Sequence, residues 1–227
     1  QRTRKVYERY KGNGIVEKEE KIYLGTVEIK RITIDNTEKL TRYTLHIMDD
    51  KSRIAIVHHW TKDDTEREIP TAQLNTNKTR YQYSNHLGSA SLELDQSGLI
   101  ISYEEYFPYG GTAYIAGTSQ AEVKLKEYRY TGKERDDSTG LYYYGARYYT
   151  SWMGRWMSAD PLGEQGSGLN LYRYCSNNPV MRVDPTGMTD VQKGNPNEYD
   201  VSTGAVSLWN GLKESAGNIW DKAKEYV

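Results

Sequence analysis

Ser89-Ala90-Ser91-Leu92-Glu93-Leu94, Asp95-Gln96-Ser97-Gly98 and Leu99-Ile100-Ile101-Ser102-Tyr103-Glu104-Glu105-Tyr106 follow one another without a break. The outer segments carry the β-forming residues of two strands, and the tetrapeptide between them holds the residues that turns prefer. Pro108 and the pair Gly110-Gly111 then end the second strand. A hairpin therefore sits near the middle of the chain, and its neighbours on the N-terminal side read the same way. Thr26 to Ile34 alternates through Val27 and Ile29 and, past Arg31, through Ile32 and Ile34. Tyr43, Leu45 and Ile47 alternate, Ile54 to Val57 is a short apolar run, and Asp49-Asp50-Lys51 reads as the turn between them.

Beyond the hairpin, residues 112–126 lack a clear period and read as a surface loop. Tyrosine-rich strands are predicted around Tyr128–Tyr130 and Leu141–Tyr149. Strand and turn recur every 15–25 residues with Tyr and Gly at the joints, the mark of a degenerate repeat. The predicted class is mainly β.

The chain has 227 residues and can bury a sizeable core in one or two domains. Its hydrophobic content is 37%, and 21 tyrosines stand against one phenylalanine. Mean hydropathy is −0.84, low for a compact enzyme. Tyrosine packs a broad ring but keeps a hydroxyl that needs a partner, which suits sheets with one wet face. A formal charge of −1 gives no reason to expect nucleic acid or direct membrane binding. One cysteine, Cys175, excludes an intrachain disulfide and reads as a small buried side chain. The histidines, His46, His58, His59 and His86, have no metal-site spacing. His58 and His59 should point to opposite faces of a strand. No cofactor or metal is expected.

Toward the C-terminal end one module occurs twice, as Asp160-Pro161-Leu162-Gly163 and Asp184-Pro185-Thr186-Gly187. Proline fixes its own φ and holds the aspartate before it in extended geometry. Each module alone is an ordinary turn in which Asp bonds the backbone. Brought face to face, the two carboxylates could share a proton and act as an acid–base pair.

Residues 160–187 include Gly168-Leu169-Asn170-Leu171-Tyr172-Arg173-Tyr174-Cys175-Ser176-Asn177-Asn178-Pro179. They are preceded by Tyr128-Arg129-Tyr130-Thr131-Gly132-Lys133-Glu134-Arg135-Asp136, by Thr139 to Tyr149 and by Gly154-Arg155-Trp156. This ordered series resembles the core domain that closes Rhs/YD-repeat proteins, among them bacterial polymorphic toxins and the C component of insecticidal toxin complexes. It covers residues 75–188 strongly, and residues 20–74 more loosely resemble the preceding repeats.

The resemblance implies a tyrosine-rich β-sheet spiral forming part of a hollow shell with a wet inner face, closed by a core plug. Residues 1–74 would be repeat strands, 75–188 the core with an autoprotease motif, and 189–227 the start or remnant of a variable C-terminal segment. It implies that Asp160 and Asp184 cleave the chain between Met188 and Thr189, where relatives often have leucine before the cut. Arg147 would support them, with Arg155 the competing candidate. The implied partners are the chain's own C-terminal effector segment and the rest of the toxin shell, in a secreted bacterial toxin. A second reading is a non-enzymatic encapsulation or cell-surface scaffold. There the aspartates only cap turns, and Asn170, Asn177 and Asn178, flanked by Tyr172 and Tyr174, stitch the plug.

Trp152 and Trp156 read as core anchors. Residues 189–203 read as a polar linker. From Ala205 the residues Leu208, Trp209, Leu212, Ile219 and Trp220 recur at helical spacing, so a helix over 205–226, broken near Gly211 or Gly217, is expected to dock on the shell.

Overall fold

A computed structural model describes residues 2–49, 52–64 and 66–193. Nine strands form one antiparallel sheet in which each strand pairs with the next along the chain. They are β1 (Arg4–Tyr10), β2 (Val16–Leu24), β3 (Val27–Ile34), β4 (Thr37–Met48), β5 (Arg53–Asp63), β6 (Asn77–Ser84), β7 (Ala90–Leu94), β8 (Ile100–Tyr106) and β9 (Thr112–Gly117). Tight turns make this meander possible. Asp35 and Asn36 join β3 to β4 with φ of 51° and 61°, values that Asp and Asn tolerate better than most residues. Asp95 Oδ1 accepts from the backbone of Ser97 at 2.8 Å and Leu99 at 2.9 Å, so the hairpin read from sequence closes as an Asx turn. The fold is mainly β, and the sheet is open, with β1 and β9 at its edges.

The inner positions of this sheet are largely charged. Lys21, Lys30, Arg42 and Trp60 lie in one cross-strand row. Glu28, Thr44, His58 and Lys78 form the next, and Gln82, Glu93 and Ser102 a third. Most are buried, and Arg42, Arg80, Glu93 and Glu104 have no exposed surface. Their counter-charges come from residues 122–136, which cross the same face. Glu127 reaches Lys21 at 2.7 Å and Arg42 at 2.8 Å. Glu122 meets Arg80 at 2.6 Å and also pairs with Lys78. Lys126 and Arg129 meet Glu104 at 3.2 and 3.3 Å. Glu134 pairs with Arg2, Lys5 and Lys21.

Residues 112–126 are therefore not a surface loop. They form β9 and a short helix, α1 (Gln120–Leu125), whose N-terminus is capped by the Ser119 hydroxyl accepting from the Glu122 amide at 3.2 Å. Leu125 buries against Trp60 and Ile69. No period is visible there because polar contacts, rather than an apolar stripe, hold the segment down.

The remaining strands are short. A four-stranded sheet joins β10 (Glu134–Arg135), β11 (Tyr142–Tyr143), β12 (Tyr148–Thr150) and β13 (Arg155–Trp156); β14 (Arg182–Val183) pairs with β15 (Val191–Gln192). The strand expected at Tyr128–Tyr130 is a single bridge at Tyr128 followed by a 3₁₀ turn, because Thr131 takes φ 49°. The strand expected over Leu141–Tyr149 is split by a turn at Tyr144–Arg147.

These pieces close on an aromatic core of Tyr130, Tyr142, Tyr144, Tyr149, Tyr174 and Trp156. Tyr149 stacks on Tyr174 with centroids 4.0 Å apart. The hydroxyls of Tyr130, Tyr149 and Tyr142 find their partners on the backbone of one turn. Tyr130 donates to the Pro108 carbonyl at 3.0 Å, Tyr149 to Tyr109 at 2.8 Å and Tyr142 to Gly110 at 3.3 Å. One turn thus satisfies three buried phenols. Trp156 anchors this core, whereas Trp152 is 63% exposed and does not. The helix expected over 205–226 lies outside the described residues.

Candidate functional site

The two Asp-Pro modules fold into turns of different construction. Asp160 opens a turn closed by Gly163 N–H donating to its carbonyl at 3.0 Å, while its Oδ1 accepts from Leu162 N at 2.8 Å. The following α2 (Glu164–Ser167) lays Gly166 over the carboxylate; a Cβ there would fall 2.8 Å from Oδ1. Asp184 follows β14, and its Oδ1 accepts from four successive amides. Thr186 lies at 3.1 Å, Gly187 at 2.8 Å, Met188 at 3.1 Å and Thr189 at 3.3 Å. The fourth is the nitrogen of the Met188–Thr189 peptide bond.

Arg147 joins the two turns. Its Nη2 lies 3.0 Å from Asp160 Oδ2 and 3.5 Å from Asp184 Oδ2. Nε donates to the Gly187 carbonyl at 2.5 Å and Nη1 to the Leu171 carbonyl at 3.3 Å. The Trp156 ring covers its face, 4.2 Å from centroid to Cζ. Four contacts at the edge and one ring on the face thereby engage the planar group, an arrangement an ammonium could not make. Arg147, Asp160 and Asp184 are each buried. Residues 13 and 37 positions from Arg147 reach it because β12 and the two turns converge beside the aromatic core.

Arg155 is exposed on β13 and lines a separate cleft with Trp152, Arg173 and Asn177. Of the other motif residues, Tyr174 is fully buried and Tyr172 is 45% exposed. Asn170 Oδ1 accepts from Tyr172 N at 3.2 Å. Asn177 ends a run with Cys175 and Ser176 in which φ is 59°, 49° and 52°. Asn178 N–H donates to the Cys175 carbonyl at 2.8 Å and so closes that left-handed turn.

No family model matches the chain. Toxin subunit YenC1 of Yersinia entomophaga is 46% identical over 167 residues, covering 74% of this chain and 16% of that protein. Toxin subunit YenC2 of the same organism is 52% identical over 132 residues, covering 58% of this chain and 13% of that protein. The crystal structure of TcdB2-TccC3 matches with a TM-score of 0.74 at 41% identity, covering 83% of this chain and 9% of that one. These homologues are toxin subunits, and the likeness is consistent with the Rhs/YD-repeat proteins of the toxin-complex C-component type. The chain spans less than a fifth of the length of these relatives.

The sequence alone did not mark two groups beside the second Asp-Pro module. Lys133 Nζ donates to the Pro185 carbonyl at 2.6 Å. The Ala146 amide donates to the Thr186 carbonyl at 3.0 Å, drawing the Arg147 turn onto the second module. Lys133 stands within the run Tyr128–Asp136, yet its spacing carries no chemical signal. Nothing marks Ala146, because a backbone donor has no sequence signature.

Proposed function

We propose that this chain is the closing shell segment of an Rhs-type toxin subunit, that it encloses an effector segment following it, and that it cuts itself once between Met188 and Thr189. Secretion and assembly with a larger toxin shell follow from the same reading, since the matched structures are TcdB2-TccC3 complexes. The observation that carries it is the convergence of two buried carboxylates on Arg147, with Asp184 Oδ1 also 3.3 Å from the Thr189 nitrogen.

Hydrolysis adds one water across the bond. The water oxygen bonds to the Met188 carbonyl carbon and the bond to Thr189 N breaks. One water proton ends on that nitrogen, and the other leaves with the new carboxyl group. Asp160 and Asp184 share the proton that is moved, one accepting as the other donates. Asp184, which accepts from the Thr189 N–H, serves the step at nitrogen in this reading. Arg147 orients both carboxylates, and its bond to the Gly187 carbonyl fixes the segment they act on. The tether makes the reaction intramolecular, so one turnover needs no binding step.

A second reading keeps the same residues as a scaffold without chemistry. It is favoured by the four amides on Asp184 Oδ1, which amount to a complete turn cap. Intact-mass analysis of freshly folded protein separates the two. A fragment ending at Met188 that disappears in Asp160→Asn and in Asp184→Asn supports cleavage. A whole wild-type chain, or full processing by a folded Asp184→Asn variant, overturns it.

A further inference from the structure

A cavity of about 730 Å³ opens beside the segment Pro185–Met188, with Tyr128, Lys133, Tyr144 and Arg53 among its lining residues. Two cations on its wall differ from the others on this side of the molecule. Arg2, Lys21, Arg42, Arg80 and Arg129 each meet a carboxylate within 3.5 Å. Among the described residues, Arg53 and Lys133 meet none within 4 Å. Arg53 lies over the Tyr128 ring at 3.8 Å and donates to the Gly132 carbonyl at 3.4 Å, while its buried Nε has no partner. Lys133 has the Pro185 carbonyl and the Tyr144 ring, 5.3 Å from its Nζ. Burial holds both groups below their usual pKa, against the opposing pull of Tyr128, Glu28 and Glu134 on Arg53 and of Asp184 on Lys133. Glu28 and Glu134 also line the cavity, and both are already paired with Lys21.

We propose that this cavity is a carboxylate site built by Arg53 and Lys133, and that its occupant is the new chain end formed at Met188. This rests on the cleavage reading above. Met188 lines the same cavity, and hydrolysis converts its neutral carbonyl into an anion. A guanidinium presents paired N–H donors to a carboxylate, and the Tyr128 ring covers one face of Arg53. Pairing at the product end would draw the cut terminus away from Asp160 and Asp184 and so oppose resynthesis of the bond.

N-acetylmethionine and N-acetylmethioninamide serve as probes of the site, titrated into the full-length Asp160→Asn chain by isothermal calorimetry. The carboxylate is expected to bind at least tenfold more tightly than the amide. Arg53→Gln or Lys133→Gln should abolish that preference, and Arg53→Lys should keep part of it. Equal affinity for the two probes, or a preference unchanged by either Gln substitution, overturns the site. Wild-type protein shown by mass to be cut should bind N-acetylmethionine at least tenfold more weakly than the uncut chain, because its own terminus fills the cavity. Equal binding by cut and uncut protein overturns the occupant. If mass shows the wild type whole, the cleavage reading and the proposed occupant fail together. Titration of that chain with the two probes then decides the site alone.

Discussion

Arg147 Nη2 and Asp160 Oδ2 meet at 3.0 Å with their side chains only 2% and 0% exposed. A cation so placed cannot be removed without leaving two buried carboxylates facing each other. Arg147→Met is expected to cost about 3–5 kcal/mol of stability, read as a shift in the urea midpoint. Arg147→Lys keeps the charge but not the fork, so its loss of stability should be smaller while cleavage slows at least tenfold. Processing at the wild-type rate in the Lys variant would show that the planar geometry is not needed.

The two carboxylates act as one unit in the proposed reaction, so their effects should not add. Asp160→Asn and Asp184→Asn are each expected to leave an uncut chain, and the double variant should be no slower than either single. A double variant markedly slower than the singles would mean independent roles.

Glycines in the site distinguish crowding from backbone strain. Gly187 has φ 78°, and a Cβ there would lie 3.0 Å from Arg147 N and 3.2 Å from Tyr144 Cβ. Gly163 has φ 62° with open space around it. Gly163→Ala should cost about 1–3 kcal/mol from its positive-φ backbone alone. Gly187→Ala should cost more and also slow cleavage, since it pushes Arg147 from the segment it holds. Equal effects in stability and cleavage assays would remove crowding as the cause.

Acid should weaken the fold in two stages. Burial, with Arg42 and Arg80 nearby, holds His58 well below its usual pKa. Thr44 bonds its Nδ1 at 3.0 Å, and Trp60, Glu127 and His46 complete its surroundings. Burial also lowers His46, against the opposing pull of Glu28. From about pH 6.5 downward the unfolded chain therefore binds protons that the folded chain refuses, and stability falls by up to about 1.4 kcal/mol per pH unit for each such group. Urea midpoints between pH 7.5 and 5.5 should fall, and fall less in His58→Gln. Despite burial, Arg42 and Lys21 hold the Glu127 carboxyl well below the usual range, and Lys21 and Lys5 lower Glu134. Their contribution is complete above the unfolded carboxylate pKa and is lost as pH drops below about 4.3 toward the folded values.

Cys175 is buried, and burial pushes its thiol up to about 12. Iodoacetamide at pH 8 is expected to leave it unmodified in the native protein and to alkylate it fully in guanidinium, as measured by mass. Rapid native alkylation would show that the left-handed turn at Cys175–Asn177 opens.

What the sequence displayed was governed by which side chains obey the period. The hairpin around Asp95–Gly98 was legible because its turn chemistry is local. β1, β2 and β6 were not, because inward positions such as Lys21 and Arg80 are charged and hydrophobic alternation fails there. Their counter-charges lie far along the chain: Glu127 answers Lys21 from 106 positions away. The aspartate pair stood out as a repeated module. Two arginines, Arg147 and Arg155, were open as its partner, and only the packing of β12 beside Trp156 distinguishes their positions. Arg53 escaped notice because a cation without an anion is visible only after every other pairing is known.

The charged strap at residues 122–136 also bears on how the chain reaches this fold. An apolar strap could settle on an apolar sheet in several nearby positions at similar energy. Here Glu122 must find Arg80 and Lys78 while Glu127 finds Lys21 and Arg42. A shifted strap would bring like charges together and strand buried ions. The face therefore works as a keyed joint: it accepts one alignment of its covering segment, and with that alignment it sets where the closing turns must come to rest.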